Sequence, residues 1–186
     1  LTKAIHDSDK IIPHGNIDDI SSISINGKDL NSALTDLISK IGENIQIISY
    51  KKYNSKNSIF INYLHNKYNS SCSKIASVVE VSTNDLEKAS GLSDQLKVVA
   101  MQVSAMKPMG LNEDSIDAKV LEEEKDIILK QIENTPNDKK EQIVNGKINK
   151  FIKENTLMGQ TLITDPKSTV ANYVSSLSKS NNLDLN

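Results

Sequence analysis

The chain is 186 residues long, with a formal net charge of −2 and a hydrophobic share of 37%, enough to hide roughly 70% of its unfolded surface in one or two cores. The acidic balance and the complete lack of arginine argue against nucleic-acid binding, which relies on basic surface and bidentate guanidinium contacts. A single cysteine, Cys72, excludes an internal disulfide, and no apolar run approaches the roughly 18 residues of a membrane-spanning helix.

Residues 1–7 read as the end of a helix, and residues 10–19 as a loop around Pro13 and Gly15. His6, His14, Asp7, Asp9, Asp18 and Asp19 crowd this stretch. Their spacing fits no zinc or calcium loop, so solvated side chains and no metal are expected. Leu30, Leu34, Leu37, Ile38 and Ile41 then recur at spacings of three and four, which predicts an amphipathic helix. Gly42 is placed to end it in a left-handed cap.

Three β-type runs follow at 45–53, 59–64 and 75–81, joined by polar, turn-rich connectors. In the second, Ile59, Ile61 and Tyr63 share a face; in the third, Ile75, Val79 and Val81 oppose Ala76 and Val78. Short connectors imply hairpins, hence a three-stranded antiparallel meander that needs a cover on one face. The expected cover is a helix over 92–106, where Leu92, Leu96, Val99, Val103 and Met106 form the stripe, Ser90 or Ser93 the cap and Pro108 the stop.

Beyond it, a helix from Ser115 or Asp117 to Ile132 turns Val120, Leu121, Ile127, Ile128 and Ile132 inward. After a turn at 134–138, a helix over 139–155 opposes Val144, Ile148, Phe151 and Ile152, giving an antiparallel helical hairpin. A short helix over 170–177 leads into a polar tail expected to fray. The fold class read from the sequence is therefore α+β: a three-stranded antiparallel sheet covered by helices, with a projecting helical hairpin.

No group of residues converges on catalysis. Cys72 and His65 flank one turn, but no third orienting group is in view. Residues 122–126 are a charge run expected on an outer helix face. Gly42 and Gly146 stand alone, so no phosphate-cradling loop exists and no nucleotide or other cofactor is expected. Met101, Met106, Met109 and Met158 read as gap fillers before they read as a binding stripe.

Several stretches resemble one family in order and spacing over residues 35–175. They are Lys40-Ile41-Gly42-Glu43-Asn44-Ile45, Tyr63-Leu64-His65, the run 100–108, the run 146–157, and Gly159-Gln160 followed by Asp165-Pro166-Lys167-Ser168-Thr169-Val170. Together they are similar to the dimerisation domain of elongation factor Ts.

The resemblance implies a non-enzymatic guanine-nucleotide exchange factor that binds elongation factor Tu and promotes GDP release. It also implies a fold in which the sheet and its helices meet the third domain of that partner, and in some members pairing with a second copy. By the same resemblance Tyr63 and His65 are expected at the partner surface, the alternative for His65 being a strand-end histidine that merely faces water. Leu157 and Met158 are expected either to pack on the sheet or to touch the partner. Residues 1–42 correspond to the C-terminal part of a first core subdomain, 43–178 to a second carrying the hairpin 117–155, and 179–186 to a polar tail.

The family's Thr-Asp-Phe-Val-Ala wedge and its N-terminal helical domain have no counterpart in these 186 residues. Docking is therefore expected of this chain more than exchange. The first residues carry neither methionine nor a signal pattern, which reads as a soluble chain of cytoplasmic type (organellar matrix if the source is an organelle), cut from something longer. The alternative is a protein-interaction or dimerisation module without exchange activity.

Overall fold

The computed structural model describes residues 1–7, 14–15 and 18–186, apart from the side chains of His14 and Asp19. They fall into two compact units, Leu1–Lys56 and Asn57–Asn186.

The first unit has a short helix α1 (Thr2–Asp7), a two-residue strand β1 (His14–Gly15), a hairpin of β2 (Ser24–Ile25) and β3 (Lys28–Asp29), helix α2 (Leu30–Ile41) and strand β4 (Tyr50–Lys51). The hairpin turns on Asn26 and Gly27, with φ of 53° and 81°. Two successive positive φ values define the tight turn that matches strand twist, and Asn-Gly is its favoured sequence. Asp29 then caps α2, accepting hydrogen bonds from Ser32 N at 2.9 Å and Ser32 Oγ at 2.6 Å. Those bonds hold the Asp29 carboxyl below the ordinary aspartate range. An exposed ion pair joins Lys28 to Asp36 and raises the lysine pKa. At the other end Gly42 has φ 78°, and its N–H reaches Ile38 O at 2.8 Å, the left-handed cap expected of it.

The first strand of the expected meander is not formed as such. Of residues 45–53 only Tyr50 and Lys51 are in a strand, and they pair with Gly15 and His14. The reason lies in the small core of this unit: Ile47 and Tyr50 pack on Ile5, Ile20, Ile23 and Leu30. Ile48 is left 76% exposed, so the run does not present one continuous apolar face to a neighbour.

The second unit is built on strands β5 (Ser58–Lys67) and β6 (Ser73–Ser82), a two-stranded antiparallel sheet with Ile61 opposite Val79 and His65 opposite Ile75. Both strands run longer than the apolar pattern marks, because the polar residues near the tip pair too. Helices α3 (Leu86–Gly91) and α4 (Ser93–Met106) cover one face. The expected cap at Ser90 or Ser93 is not made. Asp85 caps α3 instead, accepting from Lys88 N at 3.0 Å. Leu92, the residue between the two helices, is buried with Leu96, Ala89, Ala100, Ile61 and Val81. Fully burying a side chain such as Leu96 contributes about 1.5–3 kcal/mol. Helix α4 ends at Lys107 (φ 46°), just before Pro108.

Helices α5 (Ala118–Gln131) and α6 (Asn137–Asn155) form the antiparallel hairpin, closed by Ile116, Ile128, Ile132, Ile148 and Ile152. Asp117 caps α5 through Lys119 N at 2.9 Å. Ile127, expected inward, is 48% exposed, because Ile128 takes the buried position beside it at 2%. A short antiparallel pair, β7 (Thr161–Leu162) and β8 (Asp165–Thr169), leads into α7 (Val170–Asn181). The tail does not fray. Leu183 and Leu185 are buried in the core under α4, and Asn186 exchanges two backbone hydrogen bonds with Ser82, at 2.8 and 3.1 Å. The fold is thus α+β with a projecting helical hairpin, its main sheet holding two paired strands. Among the described residues no helix is long and apolar enough to cross a membrane.

Candidate functional site

Alternation along β5 puts Ile59, Ile61, Tyr63 and His65 on one face, opposite Val81, Val79, Ser77 and Ile75 of β6. The first two pairs bury against α4. Ser77 fixes the helix to the sheet: its Oγ donates to Ala100 O at 2.6 Å and accepts from Ser104 Oγ at 2.9 Å. Tyr63 is half-buried and His65 exposed. The Tyr63 hydroxyl lies 3.1 Å from His65 Nδ1, and the two ring centroids are 5.9 Å apart. Between this end of the hairpin and α4 lies a cavity of about 310 Å³, lined by Tyr63, His65, Ile75, Met101, Ser104, Ala105 and Ile163. No carboxylate and no lysine is among these residues.

Ile163 reaches the cavity from the β7–β8 turn, which is held by a buried amide network. Gln102, wholly inaccessible to solvent, donates through Nε2 to Gln160 Oε1 at 3.0 Å and to Thr161 O at 3.1 Å. Its Oε1 accepts the Ile163 N–H at 2.9 Å. Gln160 in turn donates to Glu154 O at 3.0 Å, at the end of α6. A buried polar group is tolerated only when so satisfied.

Leu157 and Met158 stand elsewhere. Leu157 is 7% exposed and packs with Val99, Leu162 and Val170, with Met158 half-buried against the same cluster. Their N–H groups donate to Gly110 O at 2.9 Å and Leu111 O at 3.0 Å. Both residues line a second cavity of about 210 Å³ with Val79, Val81, Leu96, Val99 and Val174. The expected residues therefore divide in two: Tyr63 and His65 share one cavity, Leu157 and Met158 the other.

Other candidates do not assemble. His65 Nδ1 is engaged by Tyr63, and no hydrogen bond joins it to Cys72, which is exposed at the hairpin tip. Among the described residues no group of metal-capable side chains gathers, and Asp9 with the side chains of His14 and Asp19 lies outside them. The acidic run on α5 is largely exposed, with Glu123 paired to Lys119 at 3.9 Å. The place of Ile75 in the cavity follows from strand register, since it stands opposite His65. No local pattern marks Ile163 or the Gln102 that holds it, since their meeting depends on packing between residues about sixty positions apart.

The sequence model of the family described as Elongation factor TS matches residues 3–183. A protein of Alkalilimnicola ehrlichii named Elongation factor Ts is 37% identical over 153 residues, 81% of this chain and 48% of that protein. One of Nitratiruptor sp. with the same name is 39% identical over 145 residues, covering 76% of this chain and 46% of its own length. A third, of Amoebophilus asiaticus, is 32% identical over 165 residues, 87% of this chain and 55% of its own. The chain spans about half the length of the curated relatives it matches. With the family model matching nearly all of its residues, the chain belongs to the elongation factor Ts family.

Proposed function

We propose that this chain is the docking part of a guanine-nucleotide exchange factor in translation elongation, which binds elongation factor Tu and promotes the release of its GDP. The family match over residues 3–183 is the observation that carries this reading. The open cavity beside Tyr63 and His65 supports it with an uncharged, preformed surface on rigid elements. Tyr63, His65 and Met158 are the proposed contact residues, with Leu157 contributing the small part of it that is exposed.

An exchange factor works by differential affinity. It binds the nucleotide-free partner more tightly than the loaded one, and linkage makes nucleotide weaken the complex by the same factor. No covalent chemistry is required of its side chains. The charge run on α5 stays on an exposed face, where it can steer encounter without fixing the complex.

The test has two readouts. Calorimetry with elongation factor Tu checks docking, and release of a fluorescent GDP checks exchange. The chain is expected to bind and to accelerate release much less than a longer family member carrying the Thr-Asp-Phe-Val-Ala wedge. Equal release rates would refute the division between docking and exchange. No heat of binding would refute docking itself. Binding without any change in nucleotide affinity would favour an interaction module.

A further inference from the structure

We infer that the cavity between the β5–β6 hairpin and α4 receives an uncharged, apolar side chain of the partner protein, with Ile163 as a specificity-determining rim residue held in place by Gln102. This rests on the docking reading above and names which chemistry the docking surface takes.

The lining decides the occupant's character. Ile75, Met101, Ala105 and Ile163 supply apolar walls, and no carboxylate or lysine stands among the lining residues to neutralise a charged guest. A cavity of about 310 Å³ lies at the low end of ligand pockets and accommodates one large aliphatic or aromatic side chain. Ile75 and Ile163 are 38% and 41% exposed. Each therefore keeps apolar surface that solvent reaches in the free chain. A small free ligand would leave that rim wet, whereas a protein surface that inserts one side chain covers both. This matches the usual anatomy of an anchor in a pocket with near-neutral contacts around it.

The polar side of the mouth adds direction. The Tyr63 hydroxyl and His65 Nδ1 pair with each other across 3.1 Å. That leaves Nε2 as the His65 ring nitrogen that can meet a polar group beside the inserted side chain.

Gln102 acts through Ile163 and not by contact with the partner. It is fully buried, and its side-chain oxygen holds the Ile163 backbone N–H at 2.9 Å while its Nε2 fixes Thr161 O two residues earlier. Among the described residues no other hydrogen bond ties the turn to α4 at Ile163, so without these the rim loses its fixed position.

The experiment is calorimetric titration of elongation factor Tu with the 186-residue chain and its Ile163→Leu, Ile163→Asp and Gln102→Met variants, plus the Gln102→Met, Ile163→Asp double variant. Melting curves confirm that each is folded at the titration temperature. Ile163 is exposed, so its substitutions leave the fold intact. Ile163→Asp is expected to weaken binding by about tenfold or more, because it sets an unpaired carboxylate against an inserted apolar side chain, and Ile163→Leu by only a few-fold. Gln102→Met is expected to weaken binding and to speed exchange of the Ile163 amide. In the Ile163→Asp background it should add little, because two residues acting through one contact are not additive. Wild-type affinity in Ile163→Asp, or fully additive losses in the double variant, overturns the inference while docking stands. Failure of the wild-type chain to bind overturns the docking reading instead.

Discussion

Gln102 on α4 and Gln160 after α6 meet side chain to side chain at 3.0 Å, 58 residues apart in sequence, with Gln102 wholly out of solvent. The pair ties the covering helix to the end of the helical hairpin, since Gln160 also donates to Glu154 O. An apolar residue at position 102 would fit the helix but strand the Gln160 oxygen, the Thr161 carbonyl and the Ile163 N–H. Of these, the Gln160 side chain is buried, and a buried group left without a partner costs about 1–3 kcal/mol. Gln102→Leu is therefore expected to lower the unfolding free energy by several times what a surface substitution costs. Urea denaturation compared with Ser175→Ala gives the measurement. A loss below about 0.5 kcal/mol, the ordinary surface range, would show that water replaces the network.

Two glycines separate steric need from mere occurrence. A Cβ built on Gly110 would stand 2.6 Å from Ser115 Cβ and 3.0 Å from the Ser115 carbonyl oxygen. Gly110 also accepts the Leu157 N–H, so it has little room to retreat. Gly110→Ala is expected to destabilise by about 1–3 kcal/mol, the usual range for overpacking. Gly146 lies inside α6 with nothing within 4 Å of the same position. There alanine is expected to stabilise by about 0.5–1 kcal/mol by limiting the unfolded chain. Thermal melts of the two variants should move in opposite directions.

The N-cap of α2 sets a pH dependence in the first unit. Hydrogen bonds from Ser32 lower the Asp29 pKa in the folded state. A depressed carboxyl contributes stability that is present above its unfolded pKa and is lost as pH falls through the folded value. Protection of the α2 amides, measured against the unstructured exchange rate at each pH, should therefore fall on acidification below the ordinary aspartate range. Asp29→Asn keeps a capping oxygen without a titrating group, so its acid limb should be flatter than wild type. Parallel limbs would show that the cap makes no pH-dependent contribution.

How far the sequence disclosed this fold depends on whether a signal was local. The α2 helix, the Gly42 cap and the Tyr63–His65 face follow from period and turn chemistry, and the structure has each of them. The apolar stripe of α2 is buried only at Leu30, with Leu37 and Ile41 42% and 52% exposed. The Asn26-Gly27 hairpin is equally local, since this dipeptide favours the two successive positive φ values of a tight turn. The 45–53 run shows the limit of β propensity. Its Ile and Tyr content suits a strand, but burial of Ile47 and Tyr50 among Ile5, Ile20, Ile23 and Leu30 leaves only two residues in a ladder. At the candidate site, a family-like Tyr-x-His marked one wall. The opposite wall, with Met101, Ala105 and Ile163, depends on how α4 and the β7–β8 turn dock, and no local pattern encodes that.

The C-terminal residues give the sharpest contrast between composition and packing. Residues 179–186 are mostly polar and read as a frayed end, yet Leu183 is 4% and Leu185 7% exposed, against Ile61, Val81, Leu92 and Leu96. The polar residues around them serve the same docking. Ser178 donates to the Leu183 carbonyl, Asp184 N donates to Asn84 Oδ1 at 3.0 Å, and Asn186 pairs its backbone with Ser82. Leu185→Ala is thus expected to cost about 2–5 kcal/mol, as for other buried leucines, and to speed amide exchange along β6 as well as in the tail. Asn182→Ala, at the left-handed cap of α7, isolates the alternative that only the helix end matters. If Leu185→Ala leaves the urea midpoint unchanged, the tail is an appendage. If its loss matches that of Leu92→Ala, the last four residues are part of the core.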